Sequence, residues 1–447
     1  MNFSTAIFAV LALLSLALAL WQWLAARGFP LHQRVAEADF APAISLLKPL
    51  KGCDATTAES LQSWFDQNYS GQTQILLGVA DANDPVCKIV LDIIAKNPKC
   101  EAQLVVCEKL IGANAKVAKL AQLEKLAKHN LILVSDADVR VPPDFLANLV
   151  APLRDEGRAG SPLPAAATQT GSGAHGVTRP AVGLVNCFYR LANPSTTAMR
   201  WEAVAINADF WSQVLQSQTL KPLDFALGAA MLVRREALAE IGGFQSLADC
   251  LADDYQLGHR IAKNGHRIAL CPVVAECWDA PMNWRDVWKH QLRWARTIRV
   301  CQPLPYFFSI LSNATLWPLL WLASELFKWA VMAVPNGQSD SYQSFVGKMA
   351  LLDGAILVIA LLLIRIGLAQ NLQCRLTGAR AARPRVPTVL LHASGPPALR
   401  PAPFWLVPVK DLLQAAIWFC SFTGNTVEWR GRKMKLRRDG TLEDGGR

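Results

Sequence analysis

The sequence predicts an α/β protein whose domain is built on a mostly parallel β-sheet and is held to a membrane by apolar helices. Residues 40–150 alternate regularly between apolar strand-like stretches and helical stretches. The segment Ala6–Ala25 carries no charge and has about the length needed to cross a bilayer. Further apolar blocks lie near 304–333 and 346–368, with a shorter one at 403–423.

Continuous apolar strands separated by helices are typical of parallel βαβ units. The predicted strands are Ala43–Leu47, Gln74–Ala80, Gln103–Glu108 and Leu131–Ser135, and the predicted helices are Ala58–Gln67, Cys87–Lys96 and Lys116–Lys128. Right-handed crossovers place a ligand at the carboxyl ends of such strands. Residues 151–180 are rich in Gly, Pro, Ser and Ala and are predicted to be a mobile connection, after which 181–301 resumes a mixed α/β pattern.

The first apolar segment is predicted to be a retained transmembrane anchor. The chain has 447 residues, of which 52% are hydrophobic, so a small soluble domain is excluded. A cleaved signal peptide would need a basic start and a small-residue cleavage site. Here the residues before the segment, "MNFST", contain no Lys or Arg, and bulky "WQWLAARG" closes it.

The net charge of +10 is clustered beside the apolar segments, in Arg375–Pro387 and in the tail Trp429–Arg438. Basic runs in such places mark the cytoplasmic side of a membrane and meet anionic lipids, so no nucleic-acid partner is expected. Arg27 and Arg34 follow the first span, which predicts that the large domain faces the cytoplasm. The block 403–423 contains Lys410 and Asp411, and it is predicted to be re-entrant or interfacial.

Carboxylates follow two predicted strands at their carboxyl ends. Asp81 follows the second strand, and Asp136 and Asp138 follow the fourth. Two carboxylates one residue apart can hold Mg²⁺ or Mn²⁺, which bridges to substrate phosphates. The chain contains neither G-x-x-x-x-G-K-[ST] nor G-x-G-x-x-G after the first strand. A metal and a nucleotide without a phosphate loop suggest a nucleotide-sugar transferase.

A series of motifs in this order resembles the ceramide glucosyltransferase family. The motifs are "LKPLKGCD" (Leu47–Asp54), "VADANDP" (Val79–Pro85), "GANAKVAKL" (Gly112–Leu120), "SDADVRVPPD" (Ser135–Asp144), "GAAMLVRREAL" (Gly228–Leu238), "IGGF" (Ile241–Phe244), "ADDY" (Ala252–Tyr255) and "HQLRW" (His290–Trp294). Hopanoid-associated glycosyltransferases, a bacterial group, share much of the pattern. The resemblance implies a GT-A-type, Rossmann-like domain in a bacterial inner membrane.

The resemblance also implies roles for the acidic residues and for one lysine. Asp81 resembles the aspartate that holds uridine, and Lys116, in the G-x-N-x-K stretch with Asn114, would meet the diphosphate. Asp136 resembles the second aspartate of the family, which binds the nucleotide sugar and the metal, with Asp138 as the other metal contact. Asp254 resembles the catalytic base, and Asp253 would orient it. The alternative for the pair is helix capping, because both precede a predicted helix.

"HQLRW" is similar to the family motif [QR]-x-x-R-W, with Arg293 and Trp294 at the matching positions. Arg293 would contact the diphosphate in bidentate fashion, and Trp294 would offer a flat face to a sugar or acceptor. His290 stands where the family has Gln or Arg, which leaves its role open. The surrounding stretch is predicted to be an amphipathic interfacial helix.

The sequence thus predicts an anchor (1–27), a glycosyltransferase domain (40–301, with a nucleotide-sugar half 40–150 and an acceptor half 181–301), a membrane region (302–424) and a basic cytoplasmic tail (425–447). The predicted activity is inverting transfer of a hexose, glucose by resemblance, from a UDP-sugar to a lipid hydroxyl such as that of ceramide. Alternatives are a hopanoid or other polyisoprenoid acceptor, a processive polysaccharide synthase, and a non-catalytic lipid-binding protein of similar fold.

Overall fold

The computed structural model describes residues 3–35, 40–108, 111–154, 180–332, 341–378, 402–429 and 432–444. Most of the predicted mobile connection 151–180 and much of the basic run Arg375–Pro387 lie outside these ranges. The described chain divides into two compact units. The sheet unit comprises Pro30–Asn193, Leu220–Ala280 and Gly440–Arg447, and the helical unit comprises Met1–Phe29, Pro194–Thr219 and Pro281–Asp439.

Strands and helices are numbered in chain order. The strands are β1 (Ile44–Pro49), β2 (Thr73–Val79), β3 (Glu101–Val106), β4 (Leu131–Ser135), β5 (Val139–Arg140), β6 (Val182–Leu191), β7 (Ala230–Arg234), β8 (Arg267–Cys277), β9 (Thr426–Trp429), β10 (Arg432–Leu436) and β11 (Leu442–Asp444). The helices are α1 (Phe3–Gly28), α2 (Thr57–Gln62), α3 (Val86–Lys96), α4 (Ala115–Glu124), α5 (Phe145–Arg154), α6 (Thr197–Val204), α7 (Trp211–Gln218), α8 (Arg235–Glu240), α9 (Asp253–Lys263), α10 (Trp284–Cys301), α11 (Pro303–Phe308), α12 (Leu316–Met332), α13 (Ser341–Thr377) and α14 (Leu406–Ser421).

An eight-stranded sheet in the order β3-β2-β1-β4-β7-β6-β8-β5 forms the sheet unit. The strands β3, β2, β1 and β4 pair in parallel, as do β6 and β8, whereas β7 and β5 run antiparallel to their neighbours. Every residue of β1 and β4 is buried, as expected of central strands covered on both faces. These features, with the apolar helix α1 and later apolar helices, confirm the predicted fold class.

The predicted strands agree with the structure to within two residues at each end, but two helices end earlier than predicted. The helix α2 stops at Gln62 because the following amides turn back in short i→i−3 bonds, such as Trp64 N–H to Leu61 O. The helix α4 stops at Glu124, and the amide of Lys128 instead donates to side-chain oxygens of Ser45 and Gln74. Tertiary hydrogen bonds thus override helix propensity at that end.

Two helical segments of the described chain are long and apolar enough to span a membrane: Phe3–Gly28 and Leu351–Thr377 within α13. A third candidate is the pair Pro303–Ser312 and Leu316–Val331, which is bent by 52°. The helix α14 has 16 residues, about 24 Å at 1.5 Å per residue, so it is shorter than a bilayer core of about 30 Å. That 403–423 is not a full span stays a prediction.

The helix α14 is joined to α13 by a cluster of buried charges. The Arg365 guanidinium contacts both Asp209 and Asp411 at 2.8 Å, and Lys410 contacts the same two carboxylates. The Thr315 hydroxyl donates to Asp411 at 2.7 Å. Asp209 lies in a π-helical turn, Ala205–Phe210, between α6 and α7. Two cations and two anions from three segments therefore compensate one another inside the helical unit.

Replacing Arg365 with Met should strongly destabilise the helical unit. The substitution leaves the two buried carboxylates, Asp209 and Asp411, with Lys410 as their one cation in the cluster, and breaking a buried charge pair typically costs about 3–5 kcal/mol. Thermal unfolding of the detergent-solubilised protein measures the loss. Lys348→Met, at an exposed position of the same helix, is the matched control, and equal melting temperatures for the two variants would contradict the prediction.

Candidate active site

Four aspartates, Asp136, Asp138, Asp253 and Asp254, form an acidic site at the end of β4 and the start of α9. At its centre the side chain of Lys116 lies between two of these carboxylates. The Lys116 ammonium lies 2.7 Å from Asp136 Oδ1 and 3.0 Å from Asp253 Oδ2. Asp136 follows β4 directly, and Asp253 is the first residue of α9. The two carboxylates, together with that of Asp254, raise the pKa of Lys116 despite its burial. Lys116 therefore keeps its positive charge and joins the end of β4 to the start of α9.

Asn114 explains why the chain places Lys116 here. Its side-chain oxygen accepts hydrogen bonds from the amides of Lys116 and Val117, so it caps α4. Its amide nitrogen donates to the carbonyl oxygen of Cys250 at 2.8 Å. One buried side chain thus starts the helix that carries Lys116 and fixes the segment that precedes Asp253.

Asp254 is the second residue of α9. Whereas Asp253 contacts the Lys116 ammonium, Asp254 accepts a hydrogen bond from the backbone. Its Oδ1 accepts the N–H of Tyr255 at 2.7 Å. Burial and the charge of Asp253 raise the pKa of Asp254 to about 6, although the Lys116 charge acts in the opposite direction. The N-cap of α9 is Ala252, which makes no side-chain capping bond. Asp253 contacts Lys116, and among the described contacts Asp254 accepts one first-turn amide, that of Tyr255, so capping accounts for little of this pair.

Asp138 is the second carboxylate after β4. Burial, together with the charges of Asp136 and Asp279, raises the pKa of Asp138 to about 7. The described residues contain no group of three or more His, Cys, Asp or Glu side chains placed to hold a metal ion. Asp136 and Asp138 nonetheless fit a hard divalent cation, because their excess negative charge would be relieved by it. Mg²⁺ and Mn²⁺ commonly take one or two carboxylates, with phosphate and water completing the shell.

Lys48 is a site residue that sequence reasoning missed. It is fully buried in β1, donates to the backbone oxygen of Asp136 at 2.8 Å, and lies 4.6 Å from the Trp64 ring centroid. Burial lowers the pKa of Lys48 to about 7. The only signal was a charged residue within an apolar strand, "ISLLKP". Lys48 orients the segment that carries Asp136 and Asp138.

Asp81 lies on the exposed loop after β2. Its Oδ1 accepts hydrogen bonds from the backbone amide and side chain of Asn83, which forms an Asx turn. The next acidic residue, Asp84, receives the Gly52 amide on both oxygens at 3.0 Å. The structure therefore places Asp81 at the predicted strand end, with local contacts only among those described.

Arg293 and Trp294 lie on α10 of the helical unit. The Trp294 ring lies 4.5 Å from the ring of His290, and the Arg293 carbonyl accepts the Thr297 hydroxyl. His290 Nδ1 lies 2.7 Å from Glu202, whose side chain is buried and also accepts from Gln291. The residue that departs from the family motif is thus held by a glutamate that no sequence pattern had indicated.

The fold and site together define a class: an α/β protein with an acidic site after a central parallel strand and apolar helices long enough to span a membrane. The chain belongs to glycosyl transferase family 21, whose model matches residues 5–174, 172–336 and 340–442.

Two relatives of this chain are both named as ceramide glucosyltransferases. Ceramide glucosyltransferase 3 of Caenorhabditis elegans is 24% identical over 244 residues, which covers 54% of this chain and 47% of the relative. Ceramide glucosyltransferase of Candida albicans is 33% identical over 136 residues, 27% of this chain and 25% of the relative. The chain spans about half the length, or less, of these relatives.

Solved structures with a similar fold share less sequence identity with this chain than these relatives do. A mannosyltransferase from Pyrobaculum calidifontis in complex with GDP-Man and Mn²⁺ is 19% identical, with a TM-score of 0.47 over 85% of this chain and 98% of that one. Glucosyl-3-phosphoglycerate synthase from Mycobacterium tuberculosis, with Mn²⁺ and UDP-glucose, is 14% identical, with a TM-score of 0.34 over 58% of this chain and 79% of that one. Similarities this low carry no functional argument.

Mn²⁺ or Mg²⁺ should raise the melting temperature at pH 7.5. The cation relieves the repulsion between Asp136 and Asp138, and a ligand at a hundredfold excess over its Kd stabilises by about 2.7 kcal/mol. Differential scanning fluorimetry with and without EDTA measures the shift. Asp136→Asn and Asp138→Asn should each abolish it, whereas Asp92→Asn, at an exposed position of α3, should retain it. If the cation raised the melting temperature of Asp138→Asn as much as that of the wild type, Asp138 would not be a metal ligand.

Proposed function

We propose that this protein transfers a hexose, glucose by its relatives' names, from a UDP-sugar to a membrane lipid hydroxyl with inversion at the anomeric carbon. The proposed acceptor is ceramide and the product glucosylceramide. Family membership and the names of the relatives support the reaction class. The observation that carries the mechanism is the partly buried Asp254 carboxylate, whose pKa is raised to about 6 beside the Lys116–Asp253 ion pair.

Asp254 is proposed as the general base. A carboxylate with a pKa near 6 is ionised at pH 7 to 8, and it is more basic than an exposed aspartate, which suits proton abstraction near the operating pH. Asp254 takes the proton of the acceptor hydroxyl as the oxygen forms a bond to the anomeric carbon. The bond between that carbon and the UDP oxygen breaks, and UDP leaves with the electron pair. Attack opposite the leaving group accounts for inversion.

The negative charge that develops on UDP needs cationic partners. Lys116 is proposed to contact the diphosphate, since its ammonium remains charged between Asp136 and Asp253. Asp136 and Asp138 would hold Mg²⁺ or Mn²⁺, which supplies Lewis-acid stabilisation of the diphosphate when bound. Arg293 and Trp294 of α10 are proposed to bind the diphosphate and a sugar or acceptor, and Asp81 the uridine.

The proposed location is a bacterial inner membrane, with the sheet unit on the cytoplasmic side. Two described helices are apolar and long enough to span a membrane, which supports integral membrane association. Arg27, at the end of α1, and Arg34, just after it, favour the cytoplasm for the chain that follows the first span.

Asp254→Asn should lower the rate of sugar transfer by at least about a hundredfold while UDP binding and melting temperature stay near normal. Asn has almost the same shape and can accept the Tyr255 amide, but it cannot accept a proton, and a positioned base contributes about 10²–10⁴-fold. Single-turnover transfer from radiolabelled UDP-glucose into lipid measures the rate. Asp253→Asn should lose less, because Asp253 is proposed only to orient its neighbour.

The pH profile supplies a second measure of the same assignment. Because Asp254 must be ionised, the wild-type kcat/KM, which reports the free enzyme, should fall as pH drops through about 6 and level off above it. Asp254→Asn should lack that limb. Retention of most activity, or of the acidic limb, in Asp254→Asn would show that another group is the base and that Asp254 serves the helix start.

Expression in a host that contains both ceramide and hopanoids should yield glucosylceramide. Mass spectrometry of the extracted lipids reports sugar and acceptor together, and Asp254→Asn is the matched negative control. A glycosylated hopanoid or other polyisoprenoid without glycosylated ceramide would replace the proposed acceptor. No new glycolipid from wild-type protein that binds UDP-glucose would favour the lipid-binding alternative.

A further inference from the structure

Gly228 lies directly against the Asp254 carboxylate. It precedes β7 by two residues, and β7 begins with Ala230 opposite Ser135, the last residue of β4. A Cβ atom at position 228 would lie 2.8 Å from Asp254 Oδ2. Carbon and oxygen atoms that are not bonded do not approach so closely, so the wild-type carboxylate occupies space that any side chain at 228 would need.

The segment that carries Gly228 is fixed on α9 by close packing. A Cβ at Gly258 would lie 2.2 Å from the backbone nitrogen of Ala226, so the glycine allows the chain at 225–226 to rest on the helix. The Phe225 ring stacks on Tyr255 with centroids 6.2 Å apart, and Tyr255 stacks on His259 at 5.5 Å. Backbone and rings therefore set the distance between Gly228 and α9.

Because the backbone is fixed by these contacts, the side chain of Asp254 is the group that would move if residue 228 carried a Cβ atom. The three atoms nearest to a Cβ at 228 all belong to Asp254: Oδ2, then Cγ at 3.4 Å and Cβ at 3.6 Å. The Oδ1 atom is engaged by the Tyr255 amide. A methyl group at 228 would be accommodated by rotating the carboxylate away from its orientation, which also breaks or bends that hydrogen bond.

We propose that Gly228 is a positioning residue for sugar transfer: its missing side chain sets the orientation in which Asp254 meets the acceptor hydroxyl. The inference rests on the proposed role of Asp254 as base. Catalytic geometry is sensitive on this scale, because a misplacement of about 1 Å can cost about a hundredfold in rate. The glycine acts through Asp254 and touches no reacting atom itself.

Gly228→Ala should lower kcat by about 10–100-fold, with the KM for UDP-glucose and the affinity for UDP unchanged. In the Asp254→Asn background the same substitution should not lower the residual rate further, because no base remains to be misplaced. Single-turnover transfer and UDP titration of the full-length protein in detergent give both quantities for the wild type, the two single variants and the double variant.

Gly183→Ala is the matched control. A Cβ there would lie 2.7 Å from His266 Cβ and 2.9 Å from Ile261 Cγ2, so the contact is as close as that at Gly228, but none of its three nearest atoms belongs to Asp254. It should lower the melting temperature, and any loss of rate should multiply independently with Asp254→Asn. Wild-type kcat in Gly228→Ala, or an equal fractional loss in both backgrounds, would overturn the proposal.

Different variants test the role of Asp254 as the base and the role of Gly228 as the positioning residue. If Asp254→Asn is nearly inactive and Gly228→Ala is not impaired, the base stands and the positioning role falls. If Asp254→Asn remains active, the base assignment falls, and any loss in Gly228→Ala then arises by another route, so the positioning role falls as well.

Discussion

The acidic site depends on one buried ammonium group. Lys116 contacts Asp136 and Asp253, which lie far apart in sequence, and Asp254 and Asp138 stand beside them. Placing four carboxylates close together in a partly buried site is unfavourable unless cations or hydrogen bonds compensate them. The Asn114 cap fixes the helix that supplies the cation, and it also binds the carbonyl of Cys250. The end of β4 and the start of α9 are therefore held in place by charge as much as by apolar packing.

The helical unit also contains a cluster of buried charged groups that compensate one another. The cluster of Asp209, Arg365, Lys410 and Asp411 is internally balanced, with each carboxylate contacted by both cations. A fully paired cluster contributes little net stability over apolar packing, but it is costly to break. It therefore helps to fix the position of α14 against α13, since a shift of α14 along its axis would separate Lys410 and Asp411 from Asp209 and Arg365. The acidic site of the sheet unit, in contrast, carries excess negative charge that a ligand can neutralise.

The sequence was sufficient for the parallel strands β1 to β4, because their apolar runs and intervening helices are local signals. The same rule placed Asp81 and Asp136 at strand ends. It could not reveal Lys48 or Glu202, whose importance arises from partners brought close by folding. Nor could it predict the order of β5 to β8, since β7 pairs antiparallel with β4 across nearly a hundred residues. The contact of Gly228 with Asp254 likewise exists only in three dimensions.

The insertion of β7 beside β4 has a consequence for dissecting the protein. A fragment that ended before β6 would keep three parallel strand pairs but expose one whole edge of β4, an apolar strand with unpaired backbone groups. Open edges of this kind associate with one another, which leads to aggregation. The first strands alone therefore do not make a closed sheet, and a ribosome must release the chain well past Arg234 before that edge is covered.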